Sequence, residues 1–281
     1  MRRGLLKALA FTAVAAVLLI ATGPLVGIIA GMVGTSRVSV WVYAGAYATL
    51  LLVATSAVRA LEGKGVSIVP SRRRLREFTL GLALGAVLFA MLALVRAASV
   101  DAEWTFAGLT TVVPAGAGLI VALLLLLPEE LVFRGYAFQR LVSAVGAWPG
   151  ILISAVLFGI YHVAGSGMWG IGAFFQFAMP ALGGLVFGWA AVRTNGLALP
   201  IGLHLGGNWV QASLLSFRSQ ADASSPVTLW TARVPEIELG SLYAPELSAH
   251  VPFIATMILA MVAVRLASAT VLERPSLERG V

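Results

Sequence analysis

Long apolar runs separated by short polar segments dominate the chain. An uncharged run of roughly twenty residues is long enough to cross a bilayer as an α-helix. The runs do not show the alternation of apolar and polar positions that marks the strands of a membrane barrel. The pattern predicts eight transmembrane helices, over residues 8–32, 39–60, 78–98, 109–127, 147–164, 171–192, 197–215 and 249–268. We expect the fourth helix to continue past Pro128 into a second segment that ends near Gln139.

Composition supports a lipid environment. Of the 281 residues, 59% are hydrophobic and 11% are charged, and the mean hydropathy is +0.95. A soluble domain carries roughly 25% charged residues. Because backbone groups in lipid must pair within the protein, the expected fold is an all-α polytopic membrane protein. The absence of cysteine excludes disulfides and thiolate metal sites.

The N-terminus predicts an uncleaved first helix. Arg2, Arg3 and Lys7 precede an apolar stretch, as in a signal peptide. However, the uncharged sequence continues from Ala8 through Ser36, which is too long for a signal-peptide core and long enough to span a bilayer.

Charge distribution predicts the topology. The net charge is +7, but the basic residues lie mainly between apolar runs, where they orient helices and do not form a nucleic-acid patch. With a cytoplasmic N-terminus, fourteen Lys and Arg residues face the cytoplasm and four face outward, while Arg134 lies at membrane depth. This bias predicts eight spans with both termini cytoplasmic and an outer segment over about 216–248.

Polar residues inside the apolar runs are the candidate functional residues, because a charge at membrane depth is expensive. Glu129 and Glu130 follow an apolar run and point about 100° apart on a helix. Glu130 and Arg134 are spaced i, i+4, with the acid first, which favours an ion pair. Glu129 then faces elsewhere and is a candidate general base. Alone, the cluster equally fits a solvated helix end.

Two further clusters contain histidine. Phe158 and His162 lie near the end of the fifth predicted helix, and His204 and Asn208 share one face of the seventh. A lone histidine in an apolar run is more often structural, and a His–Asn pair also fits an interhelical hydrogen bond. His250 lies beside a predicted loop-to-helix boundary, and the sequence assigns it no functional role.

Together the clusters suit hydrolysis. Glu and His can position and deprotonate water, while His and Asn can donate to an oxyanion. Glu129, His162 and His204 are alternatively candidate ligands of a metal such as zinc, although the helical H-E-x-x-H motif is absent.

The ordered motifs Glu129-Glu130-x-x-x-Arg134, Phe158-x-x-x-His162 and His204-x-x-x-Asn208 resemble the signature of the CAAX prenyl protease and bacteriocin-processing (CPBP, or ABI) family of intramembrane proteases. The resemblance covers residues 125–212. It implies eight helices around a cavity open to the membrane. It also implies that Glu129 and His162 activate water, that His204 and Asn208 form an oxyanion hole, and that the remaining motif residues support the site.

The resemblance divides the chain into four parts. These are N-terminal helices over 1–108, a catalytic core over 109–215, an extracytoplasmic loop over 216–248, and a last helix with a cytoplasmic tail over 249–281. The expected partners are membrane lipid and a membrane-associated peptide or protein substrate, without nucleic acid. The cofactor is unknown; a metal-free reaction is favoured over zinc. Usage rich in Ala, Val, Leu, Gly and Arg, with two lysines, is typical of a high-GC bacterium and predicts an inner-membrane location.

Two other classes of function fit the same residues. Buried charges and histidines also form proton or ion relays in transporters, although no inverted repeat is evident in this sequence. A membrane scaffold or bacteriocin-immunity protein would bind its partner through the same cavity without hydrolysis.

Overall fold

A computed structural model describes residues 2–32, 40–62, 72–99, 102–164, 170–219, 228–234 and 250–272. These residues form a predominantly helical polytopic membrane protein, as predicted. The helices are α1 (Arg2–Met32), α2 (Val40–Leu61), α3 (Arg72–Ser99), α4 (Val112–Phe133), α5 (Tyr136–Val145), α6 (Ala147–Ala164), α7 (Gly170–Thr194), α8 (Ala198–Trp209) and α9 (Val251–Leu272). A 3-10 turn, Leu109–Thr111, precedes α4, and a π-helix, Val210–Leu214, follows α8.

Within the described residues, seven helical stretches are long and apolar enough to cross a membrane. The stretch Leu109–Val145 counts once, since it includes both α4 and α5. The predicted span 197–215 corresponds to residues 198–214, which are helical throughout. It consists of the twelve residues of α8 followed by the five-residue π-helix.

The fourth predicted helix does continue past Pro128 and then breaks. α4 runs through Pro128 to Phe133, and α5 ends at Val145, six residues beyond the predicted end near Gln139. Gly135 lies at the break, where a Cβ would come within 2.0 Å of the Leu131 carbonyl oxygen. Only glycine fits this bend. Gly146, with φ +94°, ends α5 in a conformation that glycine adopts readily.

The chain divides into two compact units. Unit 1 comprises Met1–Arg72 and Leu123–Ser154, and unit 2 comprises Arg73–Ala122 and Ala155–Val281. In unit 1, α1 packs on α2 and α5. Phe11 of α1 meets Tyr136 of α5 with ring centroids 5.0 Å apart, and the buried Tyr47 hydroxyl donates to the Ala15 carbonyl oxygen at 2.9 Å.

Glu62, directly after α2, connects the helix ends of unit 1. The Lys7 ammonium and the Tyr136 hydroxyl donate to its carboxylate at 2.6 and 2.7 Å, and Arg140 forms an ion pair with it. The hydrogen bond from Lys7, followed by the one from Tyr136 and the charge of Arg140, lowers the pKa of Glu62 from 4.5 to about 2.

In unit 2, α3 and α8 approach each other through glycines on both helices. A Cβ on Gly81 or Gly85 would lie 2.4 or 2.1 Å from a carbonyl oxygen of α8. A Cβ on Gly202 or Gly206 would lie 2.2 or 2.3 Å from a carbonyl oxygen of α3. Two small-xxx-small motifs therefore face each other, and the helix backbones touch without intervening side chains.

Unit 2 also contains a small sheet that the hydropathy pattern does not indicate. Its strands are β1 (Glu103–Phe106), β2 (Leu215–Ser219) and β3 (Trp230–Val234), in the order β1-β3-β2. β3 pairs antiparallel with β1 and parallel with β2. The described part of the segment predicted as an outer loop, residues 216–219 and 228–234, thus contributes two strands.

Substituting Gly85→Ala should destabilise unit 2. The added methyl overlaps the backbone of α8, and overpacking of this kind typically costs about 1–3 kcal/mol. We expect a lower midpoint of thermal unfolding for the detergent-solubilised protein. The matched control is Gly116→Ala in α4, where a Cβ meets no described atom within 4 Å. Equal midpoints for the two variants would contradict the close α3–α8 contact.

Acidification should remove the contribution of Glu62 to the stability of the folded protein. A carboxyl whose folded-state pKa is lowered adds stability above its ordinary pKa of 4.5 and loses it as the pH falls towards about 2. We therefore expect the thermal midpoint of the wild-type protein to fall more steeply between pH 4.5 and 2 than that of Glu62→Gln. If the thermal midpoints of the two proteins fell in parallel with pH, Glu62 would have the same pKa in the folded and the unfolded protein.

Candidate functional site

Unit 2 encloses a cavity of about 330 Å³. Helices α3, α6, α7, α8 and α9 line it, together with the π-helix. Phe158, His162, His204 and Asn208, which the sequence singles out in two separate clusters, all lie in its wall. The structure thus brings the second and third predicted clusters together.

His162 has a defined tautomer at the cavity. It lies in the last turn of α6, and its Nδ1 is 2.8 Å from the carbonyl oxygen of Phe158. A carbonyl oxygen has no proton to donate, so Nδ1 carries the hydrogen in this bond. Nε2 of the neutral ring then keeps its lone pair and can accept a proton or a hydrogen bond from water. The Phe158 ring packs edge-on against the imidazole, at 4.5 Å between centroids.

Aromatic rings hold His204 in place. Its side chain is buried, and its imidazole stacks on Phe187 of α7 with centroids 4.5 Å apart and planes 19° apart. Phe158 approaches the same imidazole edge-on at 6.1 Å. Phe158 therefore contacts both cavity histidines, which gives this residue a positioning role that its place in the sequence motif only hints at.

Asn208 lies one helical turn after His204, where α8 gives way to the π-helix. The neighbouring Trp209 fixes this end of α8 by donating from Nε1 to the Ala115 carbonyl oxygen at 2.8 Å. Gly207 has no side chain in the space taken by Phe89, whose ring would lie 2.8 Å from a Cβ there. π-helical turns inside or after α-helices occur frequently at functional sites.

The first predicted cluster belongs to unit 1. Arg134 donates from Nη1 to Oε1 of Glu130 at 3.2 Å, and both side chains are fully buried. The predicted i, i+4 ion pair is therefore present. Glu129 is partly exposed and lies on the same helix, α4.

The end of α4 is further held by Ser154. Its hydroxyl donates to the Phe133 carbonyl oxygen at 2.7 Å, which satisfies a backbone acceptor freed by the break after α4. The ion pair and this hydrogen bond fix the segment that begins at Glu129.

Four polar residues in the cavity wall were not among the predicted site residues. These are Arg96, Gln176, Gln211 and His250. His250 is buried and stacks on Phe175 with centroids 3.9 Å apart. Two of the four carry a signal in the sequence, because Gln176 and Gln211 each interrupt a predicted apolar span. Arg96 and His250 lie at helix ends, where polar residues are ordinary.

Within the described residues, no group of three or more His, Asp or Glu side chains is placed to hold a metal ion together.

Part of the chain that lines the cavity matches a known protein family. Residues 110–210 match the model of the family described as type II CAAX prenyl endopeptidase Rce1-like. This stretch of the chain is similar to that family. The Rce1-like stretch includes every predicted site residue, from Glu129 to Asn208, and the predicted resemblance to CAAX-type intramembrane proteases is confirmed. No curated protein and no solved structure matches the chain.

Breaking the buried ion pair of the Rce1-like stretch should destabilise the protein. Removing one partner leaves an uncompensated buried charge, a loss of typically about 3–5 kcal/mol. We expect Glu130→Gln and Arg134→Met each to lower the thermal midpoint clearly. The double variant should recover part of the loss, since it buries no charge.

The control variant is Arg76→Gln, at an exposed position on α3, and it should change the thermal midpoint little. Additive effects of Glu130→Gln and Arg134→Met would show that the two side chains stabilise the fold independently.

Proposed function

We propose that the protein is an intramembrane endopeptidase that hydrolyses a peptide bond with an activated water molecule. The observation that carries the proposal is the cavity in which His162, His204 and Asn208 meet, within a stretch that matches the model of a protease family. Three hydrogen-bonding side chains in the wall of one cavity of an apolar protein provide what a reaction with water requires.

Glu129 is the proposed general base. It takes a proton from a water molecule whose other hydrogen-bonding partner is Nε2 of His162. The resulting hydroxide attacks the carbonyl carbon of the peptide bond. The proton passes to the leaving nitrogen, the C–N bond breaks, and the products are a carboxylate and an amine. This step requires Glu129 and His162 to share one water molecule.

His204 and Asn208 are the proposed oxyanion donors. Their i, i+4 spacing directs an imidazole N–H and an amide N–H to the same side of α8. Because Phe187 and Phe158 hold the His204 ring, its donor is oriented before the negative charge develops on the oxygen. Preoriented donors of this kind typically contribute roughly 10²–10³-fold in rate each.

Glu130, Arg134 and Phe158 support the site without reacting. The ion pair offsets the burial of two charges and fixes the helix that carries Glu129. Phe158 fixes the two imidazoles. No step passes through a metal ion.

The substrate is a membrane-associated peptide or protein. A multi-pass protein with a cavity among its apolar helices receives substrate from the surrounding membrane. The bias of basic residues supports cytoplasmic termini, and residue usage supports a bacterial inner membrane. The four-part division of the chain, with its core at 109–215, belongs to the same proposal.

Substituting Glu129→Ala, His162→Ala or His204→Ala should each abolish cleavage while the protein remains folded. The losses should not add, since residues that act as one unit lose nearly all activity at the first substitution. The assay uses the purified protein in detergent and a library of lipid-modified and unmodified apolar peptides, with product detection by mass spectrometry. Gly116→Ala is the folded, active control.

The absence of cysteine permits a second measurement that does not need a substrate. In the double variant Glu129→Cys/His162→Cys, a short thiol crosslinker should join the two positions, whereas Gln139→Cys/His162→Cys should not react. Cleavage by Glu129→Ala at the wild-type rate would overturn the assignment of the base. A crosslink without cleavage in any condition would favour a non-catalytic scaffold.

A further inference from the structure

The cavity has a polar end that the proposed hydrolytic reaction does not use. Arg96, Gln176, Gln211 and His250 come from four different elements and line the same space as His162 and His204. Four polar side chains converging from α3, α7, the π-helix and the start of α9 are unusual in an apolar unit, since polar groups are expensive there.

Helix register places these residues beyond His204 along the cavity, with Gln211 three residues past Asn208. α3 and α8 run parallel, since Gly81 lies against Leu199 and Gly85 against Leu203. Gln211 lies seven residues beyond His204 in the chain, and seven residues of helix correspond to about 10 Å. Arg96 likewise follows Phe89, which packs against Gly207, by seven residues and about 10 Å.

α7 runs in the opposite direction along the same cavity. Phe187 stacks on His204, whereas Phe175 stacks on His250. Twelve residues separate the two phenylalanines, which corresponds to about 18 Å along the helix. Gln176 follows Phe175 directly, so it lies at the His250 end. All four polar residues thus share the end of the cavity from which the chain leads to β1 and β2.

The charges in the lining favour an anion. Among the described residues that line the cavity, Arg96 contributes a guanidinium, and no Asp or Glu is present. A guanidinium carries five N–H donors in a planar fork, so it can receive a carboxylate while it keeps other hydrogen bonds. The amides of Gln176 and Gln211 and the ring of His250 add donors beside it.

We propose that Arg96, assisted by Gln176, Gln211 and His250, binds a carboxylate of the substrate peptide and so determines which peptides the cavity accepts. This inference rests on the proposed function for the identity of the ligand as a peptide. The carboxylate comes either from the C-terminus of the peptide or from an acidic side chain. Both have the same planar geometry, which Arg recognises through two parallel hydrogen bonds.

Binding measurements with defined peptides test the inference. The probes are N-acetyl-trileucine as the free acid and as the C-terminal amide, and N-acetyl-Leu-Glu-Leu amide beside its Leu-Gln-Leu counterpart. Isothermal calorimetry uses the full chain in detergent micelles, in wild-type and Glu129→Gln forms, so that hydrolysis does not affect the reading. Empty micelles correct for partition of the peptides.

The expected result is a preference of about tenfold or more for a carboxylate peptide over its neutral counterpart, the range of a charge-assisted hydrogen bond. Preference for the trileucine acid identifies the C-terminal carboxylate, and preference for the Glu peptide identifies a side chain. Arg96→Gln should abolish the preference, Arg96→Lys should retain part of it, and Gln176→Leu should reduce it.

Arg193→Gln is the matched control. Arg193 lies in the same unit, half-buried at the far end of α7, where it stacks over Trp189 and donates to the Ser268 hydroxyl. Its loss should leave the preference unchanged. Equal binding of acid and amide by the wild-type protein would overturn the carboxylate subsite, even if peptide cleavage is observed. A carboxylate preference in a protein that cleaves no peptide would instead overturn the proposed hydrolysis and leave the subsite standing.

Discussion

The contact between α3 and α8 is the constraint on which the cavity depends. Lipid gives little drive for apolar helices to associate, so association relies on close packing and on hydrogen bonds. Gly85 and Gly206 let the two backbones touch, and this contact fixes both the rotation and the height of α8 beside α3. On α8, His204 lies between Gly202 and Gly206, and Asn208 lies two residues beyond Gly206, so their direction follows from the same contact.

Unit 1 and unit 2 stabilise buried polar groups in different ways. In unit 1, Glu130 and Arg134 form an ion pair at the end of α4, and the Ser154 hydroxyl satisfies the backbone carbonyl of Phe133 there. In unit 2, imidazoles pack against aromatic rings, as His204 does on Phe187. A compensated ion pair suits a structural role, because each charge is engaged by the other. An imidazole beside a cavity keeps its hydrogen-bonding capacity for a ligand.

Sequence reasoning succeeds where one local rule decides the outcome. The bounds of α6 and the Glu130–Arg134 pair follow from hydropathy and from helical spacing, and both agree with the structure. It also identifies His162 and His204 as polar residues in apolar runs. Their meeting in one cavity follows from the packing of α6, α7 and α8, which hydropathy does not encode.

The missed features have a common physical cause. The three strands are short, and β1 pairs with β3 more than a hundred residues away in the chain, so no local period marks them. His250 and Arg96 lie at helix ends, where a polar residue is the ordinary case. Their place in the cavity depends on long-range contacts, such as the stack of His250 on Phe175.

The change from α8 to the π-helix coincides with a change in the chemistry of the cavity wall. α8 carries His204 and Asn208 and ends at Trp209, after which the chain passes through the π-helix and enters β2 at Leu215. Gln211 lies in the cavity wall on the π-helix, and Arg96 of α3 lines the same space. One continuous helical stretch therefore presents the proposed oxyanion donors on its α-helical turns and the amide of Gln211 on its π-helical turn.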